Sequence, residues 1–376
     1  MALITYLTRI QFDFGAISLL PEELKLIGVQ RPLIVTDKGV VAAGLLERVT
    51  GTLPATVATA LFDGTPANPT ERAALAALDA YRAHGADGII AIGGGSSMDL
   101  AKAVAVLATH EPPLVQYAAA EGGVARITAR VAPIVAVPTT AGTGSEVGRG
   151  AIIIFNDGRK IGLISPFLLP KVAICDPELT LGLPRGLTAG TGMDALTHCV
   201  ETFLSPNVNP PADAIALDGA RRAARFLVRA VEDGQDREAR WNMMMAAMEG
   251  AMAFQKGLGA VHAMSHPLGS LEELKLHHGT LNAVILPTIL RWNDGHVGDK
   301  YARLCEAMDL PADTDLARHV EQLNAQVGLP SGLAAMGVPS QVLPRMSEAA
   351  IKDHCHLTTP RQPTVEEYHA LFLQAM

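Results

Sequence analysis

Short apolar runs alternate with helical stretches through the first half of the chain. The predicted elements, in chain order, are strand 31–37, helix 39–49, a strand running into a loop over 56–64, helix 69–85, strand 86–95, a helix from about 98 to 107, and strand 133–140. The helix over 69–85 is amphipathic and ends at a glycine, as helices commonly do. Alternation of this kind predicts a mostly parallel sheet with helices on both faces.

The pattern changes after about residue 183. Helix-forming residues dominate from there on, strand candidates nearly vanish, and a run rich in methionine and alanine over 241–254 predicts a buried helix. We therefore place a domain boundary near Leu183–Thr188. The sequence predicts an α/β domain over 1–183 and an all-α, helical domain over 184–376.

Composition narrows the class of protein. A chain of 376 residues suits two domains, and 49% hydrophobic against 18% charged residues is enough for a large core without disulfides. The net charge of −8, with no long run of Lys or Arg, disfavours a nucleic-acid partner. No window approaches the roughly 18 apolar residues that a membrane span needs, and the first residues do not resemble a signal peptide.

The cysteines indicate a compartment. They are scattered and form no CxxC pair, which is typical of a large chain in a reducing environment rather than of a disulfide framework. The four are Cys175, Cys199, Cys305 and Cys355. We therefore expect a cytoplasmic protein.

A strand, a glycine turn and a helix follow one another over 86–107. Gly93, Gly94 and Gly95 permit a tight turn and the close approach of a ligand, and the helix N-terminus suits a pyrophosphate. Ser96 adds a hydroxyl, and Asp99 falls in the first turn of the helix. The same pattern also fits a tight turn without any ligand, since such turns are common.

A second polar, glycine-rich segment over 138–150 also follows a buried strand. Its Thr139, Thr140 and Thr143 offer hydroxyls, and ligands bind at the carboxyl ends of parallel strands. Asp37 closes the strand over 31–37. It is either an acceptor for the adenosine ribose, which favours NAD over NADP, or, more in keeping with its local sequence, a helix N-cap.

Histidines recur at helical spacing in the second half. Asp194 and His198 are four residues apart, and so are His262 and His266, so that each pair projects from one helix face. His277 and His278 follow, before a glycine. A single histidine on an apolar helix is more often a hydrogen-bonded core residue, but this grouping favours a metal. Imidazole and carboxylate donors suit Fe²⁺ or Zn²⁺ rather than Mg²⁺ or Ca²⁺.

Taken together, these motifs resemble the iron-dependent (group III) alcohol dehydrogenase family over nearly the whole chain. The matching segments are FDFG (12–15), VTD (35–37), NPT (68–70), GGGSSMDLAK (93–102), PTTAGTGSEV (138–147), DPELTLGLP (176–184), TAGTGMDALTHCVE (188–201), GLGAVHAMSHPLG (257–269), HHGTLNAVILP (277–287) and TPR (359–361). The resemblance implies a Rossmann-like NAD-binding domain, a helical domain, and one divalent metal in the cleft between them.

The resemblance also implies roles for individual residues. The metal ligands would be Asp194, His198, His262 and His278, with His277 as a minor alternative because the segment over 270–276 is slightly longer than usual. His266 would lie near the nicotinamide and relay a proton. The implied cofactor contacts are Asp37, Asn68, Gly94, Gly95, Ser96, Asp99, Thr139, Thr140, Thr143 and Lys160.

The expected activity is hydride transfer between a primary alcohol, diol or hydroxy acid and NAD, or the reverse reduction of an aldehyde, with Fe²⁺ or alternatively Zn²⁺. Two other reactions stay open: a lyase or cyclase of the dehydroquinate-synthase type, and polyol oxidation of the glycerol-dehydrogenase kind. Arg149 and Lys256 are candidates for binding a substrate carboxylate. Relatives of this kind are usually homodimers or larger homo-oligomers.

Overall fold

The computed structural model describes residues 8–376, which divide into two compact units. The first, called the α/β unit below, consists of residues 8–140 and Gly144–Gly182. The second, called the helical unit, consists of Leu183–Met376 together with the short segment Ala141–Thr143.

The α/β unit is built on a six-stranded, fully parallel sheet with the strand order β1-β8-β5-β4-β2-β3. Its strands are β1 (Arg9–Phe12), β2 (Pro32–Val35), β3 (Ala60–Phe62), β4 (Gly88–Gly93), β5 (Ile134–Pro138) and β8 (Val172–Cys175). A separate antiparallel pair is formed by β6 (Gly150–Ile154) and β7 (Lys160–Ile164). The helices of this unit are α1 (Leu20–Leu26), α2 (Lys38–Ala42), α3 (Leu45–Thr50), α4 (Glu71–His84) and α5 (Gly95–Leu107).

Both faces of this sheet are buried. Along β4, Ile89 and Ala91 belong to one apolar cluster, which includes residues of α4 and α5, whereas Ile90 and Ile92 belong to a second cluster with residues of α1. Side chains alternate between the two faces of a strand, and a strand covered on both sides is apolar at every position. Burial on both faces therefore explains why the predicted strands are continuous apolar runs in the sequence.

Two features of the unit differ from the sequence pattern. The helix predicted over 39–49 is two short helices, because Gly44 adopts a left-handed conformation (φ 71°) between them. Strands β1, β6, β7 and β8 are not predicted. Strands β1 and β7 contain charged residues, whereas β6 and β8 are as apolar as the strands that the sequence predicts.

The helical unit contains no strand among residues 183–376. Its helices are α6 (Arg185–Leu204), α7 (Pro210–Glu232), α8 (Arg237–Ala253), α9 (Ala260–Leu268), α10 (His278–Asn293), α11 (Lys300–Ala307), α12 (Leu316–Gln326), α13 (Leu343–Ala350) and α14 (Val365–Gln374). Helix α6 packs against α7, α8 and α10, and every residue from Thr188 to its end is buried. The predicted fold class, a parallel α/β domain followed by a helical domain, is thus confirmed.

The described cysteines are all free and buried. Among the helices of residues 8–376, none has the length and apolar character needed to cross a bilayer.

Candidate active site

One face of the buried helix α6 carries three polar side chains. Asp194, His198 and Glu201 are spaced by four and three residues, so they lie along the same side of the helix. Each is at most 4% exposed. A buried charge is costly unless it has partners, so these side chains must interact with one another or with groups on neighbouring helices.

Glu201 on α6 forms hydrogen bonds to helix α9. Its carboxylate accepts a hydrogen bond of 2.7 Å from the N–H of Val261 in the first turn of α9, and its other oxygen lies 2.6 Å from Nδ1 of His262. Burial raises the pKa of Glu201 to about 7, against the opposing effect of these hydrogen bonds. With Nδ1 held in this way, Nε2 of His262 is turned toward Asp194, whose Oδ1 lies 3.9 Å away.

Two glycines let α10 approach α6. A Cβ atom on Gly279 would lie 2.3 Å from the carbonyl oxygen of Gly190, and one on Gly190 would lie 2.8 Å from the ring of His277. No other residue fits at either position without separating the helices. The contact brings Nε2 of His278, at the start of α10, to 3.9 Å from Oδ1 of Asp194.

These residues converge on Asp194. One ligand atom from each of Asp194, His262 and His278 lies within 4.8 Å of the others, and Nε2 of His198 lies 3.7 Å from Oδ1 of Asp194. Two ligands at ~2.1 Å from one tetrahedral ion are about 3.4 Å apart, so the side chains need only small shifts to coordinate one ion. Burial lowers the pKa of His262 well below its ordinary value, so this ring is neutral and can donate a lone pair. The donor set fits a divalent metal.

Asn282 completes the cluster. It lies one turn after His278 on α10, and its amide nitrogen donates a hydrogen bond of 2.6 Å to Oδ1 of Asp194. The same nitrogen lies 3.1 Å from Nε2 of both His262 and His278. Sequence reasoning assigned no role to Asn282 or to Glu201, although both share a helix face with a predicted ligand.

The adjacent histidines at the start of α10 have different contacts. His277 is the N-cap of the helix, and its Nδ1 accepts a hydrogen bond from the N–H of Thr280. His278, the next residue, turns its ring toward Asp194. The structure therefore places His278, and not its neighbour, with the other predicted ligands.

His266 lies beside the cluster, at 4% exposure. Its ring stacks on that of His278 with 5.5 Å between centroids, and its Nδ1 is 2.9 Å from Oδ2 of Asp353. Burial raises the pKa of Asp353, but the charges of His266 and His354 and the hydrogen bonds to the carboxylate outweigh this effect and hold the pKa below its usual range. Asp353 is 87 residues from His266 in the chain, and no pattern in the sequence indicated this pair.

In the α/β unit, the predicted nucleotide loop lies between β4 and α5. Gly93 has φ 145°, and a Cβ there would lie 2.6 Å from Oγ of Ser97. Gly94 precedes α5, and no side chain caps this end of the helix. Helix α5 has 13 residues, and its uncapped N-terminus presents backbone N–H groups that suit a phosphate.

Several predicted cofactor contacts near this loop have hydrogen-bond partners within the α/β unit. Oγ of Ser96 donates to the carbonyl of Ala67 at 2.5 Å, and Nζ of Lys160 donates to Oδ1 of Asn68 at 2.8 Å. Asp37 is the N-cap of α2, with one oxygen accepting from the N–H groups of Gly39 and Val40. Its other oxygen lies 3.3 Å from Oγ of Ser97.

The segment over 145–152, which leads into β6, is held by two charged side chains of α5. Asp99 accepts from Oγ of Ser145 at 2.7 Å and from the N–H of Ile152 at 2.9 Å. Lys102 is fully buried, and its Nζ lies 2.8–2.9 Å from four oxygens of Ser145, Gly148 and Gly150. Burial lowers the pKa of Lys102 to about 8. Sequence reasoning assigned no role to Lys102.

The three predicted threonines are not equivalent. Thr139 is buried, and its N–H donates to the carbonyl of Gly93, while Thr140 is the side chain that a Cβ on Gly94 would meet at 3.2 Å. Thr143 belongs to the segment grouped with the helical unit.

The two candidates for binding a carboxylate also differ. Lys256 is 3% exposed, forms an ion pair with Asp213, and donates to the carbonyl of Phe203 at 3.2 Å. Arg149 lies in the α/β unit, and burial lowers its pKa. Lys256 is thus a structural ion-pair residue, which leaves Arg149 as the remaining candidate.

Comparison with known families now decides the class. The sequence model described as iron-containing alcohol dehydrogenase matches residues 8–177, and the model of the C-terminal part of the Fe-containing alcohol dehydrogenase family matches residues 188–376. The chain belongs to this family. The predicted resemblance is confirmed, and the protein is an NAD-dependent alcohol dehydrogenase or aldehyde reductase that requires a divalent metal.

Individual relatives are similar over their full lengths. The 4-hydroxybutyrate dehydrogenase of Cupriavidus necator is 56% identical, with 100% of both chains covered. The crystal structure of a 1,3-propanediol oxidoreductase has a TM-score of 0.92 at 38% identity over 100% of both chains. A sulfoacetaldehyde reductase from Bifidobacterium kashiwanohense, solved in complex with NAD⁺, has a TM-score of 0.89 at 25% identity, with 100% of this chain and 98% of that one covered.

Proposed function

We propose that this enzyme interconverts a short ω-hydroxy acid, of the 4-hydroxybutyrate kind, and the corresponding semialdehyde. The main support is the 56% identity over the whole chain with a 4-hydroxybutyrate dehydrogenase. A short diol is the second candidate substrate, because a 1,3-propanediol oxidoreductase has nearly the same fold at 38% identity.

Asp194, His198, His262 and His278 would hold the metal, for which we propose Fe²⁺ with Zn²⁺ as the alternative. Glu201 orients His262, and the glycine contact between α6 and α10 sets the position of His278. The family name favours iron, whereas imidazole and carboxylate ligands accept either ion. Metal analysis of protein purified without oxygen distinguishes the two.

Several groups of the α/β unit would serve NAD in different ways. The N-terminus of α5 and the turn at Gly93–Gly95 receive the pyrophosphate, Asp37 discriminates against a 2′-phosphate, and the bonded pair of Asn68 and Lys160 borders the loop. The divalent ion would supply a Lewis acid for the substrate oxygen, and NAD the hydride acceptor or donor.

We assign proton transfer to Nε2 of His266. Asp353 accepts the hydrogen bond from Nδ1, which fixes the orientation of the ring and leaves Nε2 to exchange a proton with the substrate hydroxyl. The variant His266→Ala is expected to lower turnover while the metal stays bound. Loss of the metal in this variant would instead identify His266 as a ligand.

The experiment is an anaerobic assay of NAD⁺ reduction with Fe²⁺- and Zn²⁺-loaded protein. The panel contains 4-hydroxybutyrate, 1,3-propanediol, ethanol and glycerol. The highest kcat/KM is expected for the hydroxy acid. A higher value for the diol would shift the assignment to the second candidate, and bound NAD without net NADH formation on any substrate would indicate the lyase chemistry.

A matched pair of variants tests how the carboxylate is bound. Arg149→Met is expected to raise KM for 4-hydroxybutyrate by about tenfold, the effect of losing one charge-assisted hydrogen bond, and to leave KM for 1,3-propanediol unchanged. Lys256→Met removes the ion pair with Asp213 and should lower the free energy of unfolding without a selective change in KM. An equal change of KM for both substrates in Arg149→Met would remove Arg149 from this role.

Relatives of this family are usually homo-oligomers, so a dimer or larger assembly remains our prediction. Light scattering at several protein concentrations tests it.

A further inference from the structure

A second group of potential ligands lies in the helical unit, next to the catalytic metal site. It consists of His266 on α9 and of three consecutive residues after α13, namely Asp353, His354 and Cys355. One ligand atom from each of the four lies within 4.8 Å of the others. Neither the family resemblance nor the proposed function accounts for His354 and Cys355.

The contacts within this group are short. Nδ1 of His266 lies 2.9 Å from Oδ2 of Asp353, and Nδ1 of His354 lies 3.5 Å from Oδ1 of the same carboxylate. The thiol sulfur of Cys355 lies 3.4 Å from Nε2 of His354. The first contact is a hydrogen bond, and the other two involve different nitrogens of His354, of which one ion takes only one. The four donors, which lie within 4.8 Å of one another, therefore shift toward the roughly 3.4–3.8 Å that separates two ligands of one tetrahedral ion.

The backbone holds these side chains together. Asp353 is the N-cap of a short 3₁₀ helix over His354–Thr358, and its Oδ1 accepts the N–H of Cys355 at 2.8 Å. The turn thereby fixes the carboxylate relative to the thiol. Stacking of the rings of His266 and His354, with 5.7 Å between centroids, fixes the two imidazoles relative to each other.

The accessibility of the group suits an ion that enters from solvent. The side chains of His266 and Asp353 are 5% and 6% exposed, and Cys355 is buried, whereas the side chain of His354 is 40% exposed. An ion could reach the group at His354 and be bound by the three buried donors behind it. The lone pairs of a carboxylate allow Asp353 to bind an ion while it keeps its bond to the backbone.

The chemistry of the donors selects the kind of ion. Two imidazoles, a thiolate and a carboxylate suit Zn²⁺ and its substitutes Co²⁺ and Cd²⁺, and they do not suit Mg²⁺ or Ca²⁺. Burial keeps the Cys355 thiol protonated at neutral pH, because it raises the pKa of that group well above its ordinary value. Binding of the ion therefore forms a metal–sulfur bond and releases the thiol proton to solvent.

We propose that His266, Asp353, His354 and Cys355 form a second binding site for a thiophilic divalent cation of the Zn²⁺ class, separate from the ion held around Asp194. Because the ion takes Nδ1 of His266, the single proton of this neutral ring moves to Nε2, so that an occupied second site prevents this nitrogen from accepting the substrate proton that we assign to it. Occupancy of the second site, which depends on the zinc concentration, therefore changes proton transfer beside the first metal centre.

Cobalt distinguishes the two sites, because only the second contains sulfur. Protein already loaded with one Zn²⁺ or Fe²⁺ per chain is titrated with Co²⁺ and followed by near-ultraviolet absorption and by metal analysis. We expect a thiolate-to-cobalt charge-transfer band and a rise from one to two metal ions per chain. Saturation at one ion per chain without that band would overturn the proposal.

Three variants identify the ligands. Cys355→Ser should abolish the band and keep the first ion, and His354→Ala should weaken Co²⁺ binding at the second site by at least about tenfold. The matched control is Cys305→Ser, which changes another buried cysteine of the helical unit that is outside the group, and it should keep the full band. Persistence of the band in Cys355→Ser would place the cobalt at another thiol and contradict the assignment.

Discussion

The two units of this enzyme would provide their proposed binding sites in different ways. In the α/β unit the main groups are backbone: a glycine at φ 145° and the N-terminus of α5, which no side chain caps. In the helical unit they are side chains from three helices, with buried partners such as Glu201 and Asn282 to orient them. A backbone site depends on the course of the chain, whereas a side-chain site depends on the packing of separate helices.

This difference predicts how each unit responds to substitution. Exchanging one side chain in the helical unit removes a donor directly and leaves a buried partner unpaired. Exchanging one in the nucleotide loop leaves the N–H groups in place unless the new side chain distorts the backbone. The four predictions below test this contrast, in order of decreasing effect.

The largest effect is expected from the neighbouring histidines at the start of α10. His278→Ala removes a predicted metal ligand, so we expect loss of the bound metal and a fall in kcat/KM of at least about 1000-fold, or ~4 kcal/mol of transition-state stabilisation. His277→Ala is the matched control and removes only the N-cap, at about 1 kcal/mol of stability. Metal analysis and steady-state kinetics are applied to both variants. Loss of the metal in His277→Ala but not in His278→Ala would make His277 the ligand.

A smaller effect is expected at Glu201, which orients His262 without facing the ion. Glu201→Gln should weaken metal binding by about 10- to 100-fold, the usual effect of removing a partner that orients a metal-bound histidine. Competition with a chelator measures this affinity. Glu249→Gln is the control, because it also removes a carboxyl of the helical unit, a partly buried one whose pKa burial raises to about 8, and it should not change the affinity. Equal affinities in both variants would refute the orienting role.

In the nucleotide loop, Gly93→Ala should weaken NAD binding by about tenfold. The added Cβ would lie 2.6 Å from Oγ of Ser97 at a φ that side chains rarely adopt, and the strain costs on the order of 1–3 kcal/mol. Gly182→Ala, where a Cβ meets no atom within 4 Å, is the control. Calorimetric titration with NAD measures the affinity of each variant. Unchanged binding in Gly93→Ala would place the pyrophosphate elsewhere.

The smallest effect concerns Asp37, which serves as a helix N-cap and is also the predicted selector of NAD. Asp37→Ser keeps a capping oxygen and removes the charge, so the free energy of unfolding should stay nearly constant while NADP becomes a better cofactor. Asp37→Ala should show the same change in cofactor preference and lose about 1 kcal/mol of stability. If the ratio of NAD to NADP activity is unchanged in both, Asp37 is only a cap.

How much the sequence could predict depends on how local each feature is. The turn at Gly93–Gly95 and the spacing of Asp194 and His198 are visible because the groups are neighbours along the chain. Glu201 and Asn282 share a helix face with ligands, but nothing local shows that they reach across to another helix. Asp353 lies 87 residues from His266, and such a contact is formed only by tertiary packing.

The same reasoning applies to the fold. The buried strands β2, β4 and β5 were predicted because covering on both faces demands continuous apolar residues. Strands β1 and β7 were not predicted, since both are short and contain charged residues. Strands β6 and β8 were also missed, although their sequences are apolar. The break at Gly44 was missed because a glycine inside a helical pattern is compatible with both a continuous helix and a stop.

The contact between Gly190 and Gly279 has a consequence for protein engineering. Because backbone meets backbone there, the gap between α6 and α10 has no rotamers and cannot be adjusted by repacking of side chains. The width of this gap is a fixed dimension of the fold, like the spacing between strands of a sheet. Grafting the four predicted ligands onto three other helices would therefore reproduce the residues without this spacing, and a designer who wants this metal centre has to copy the glycine contact between α6 and α10 first.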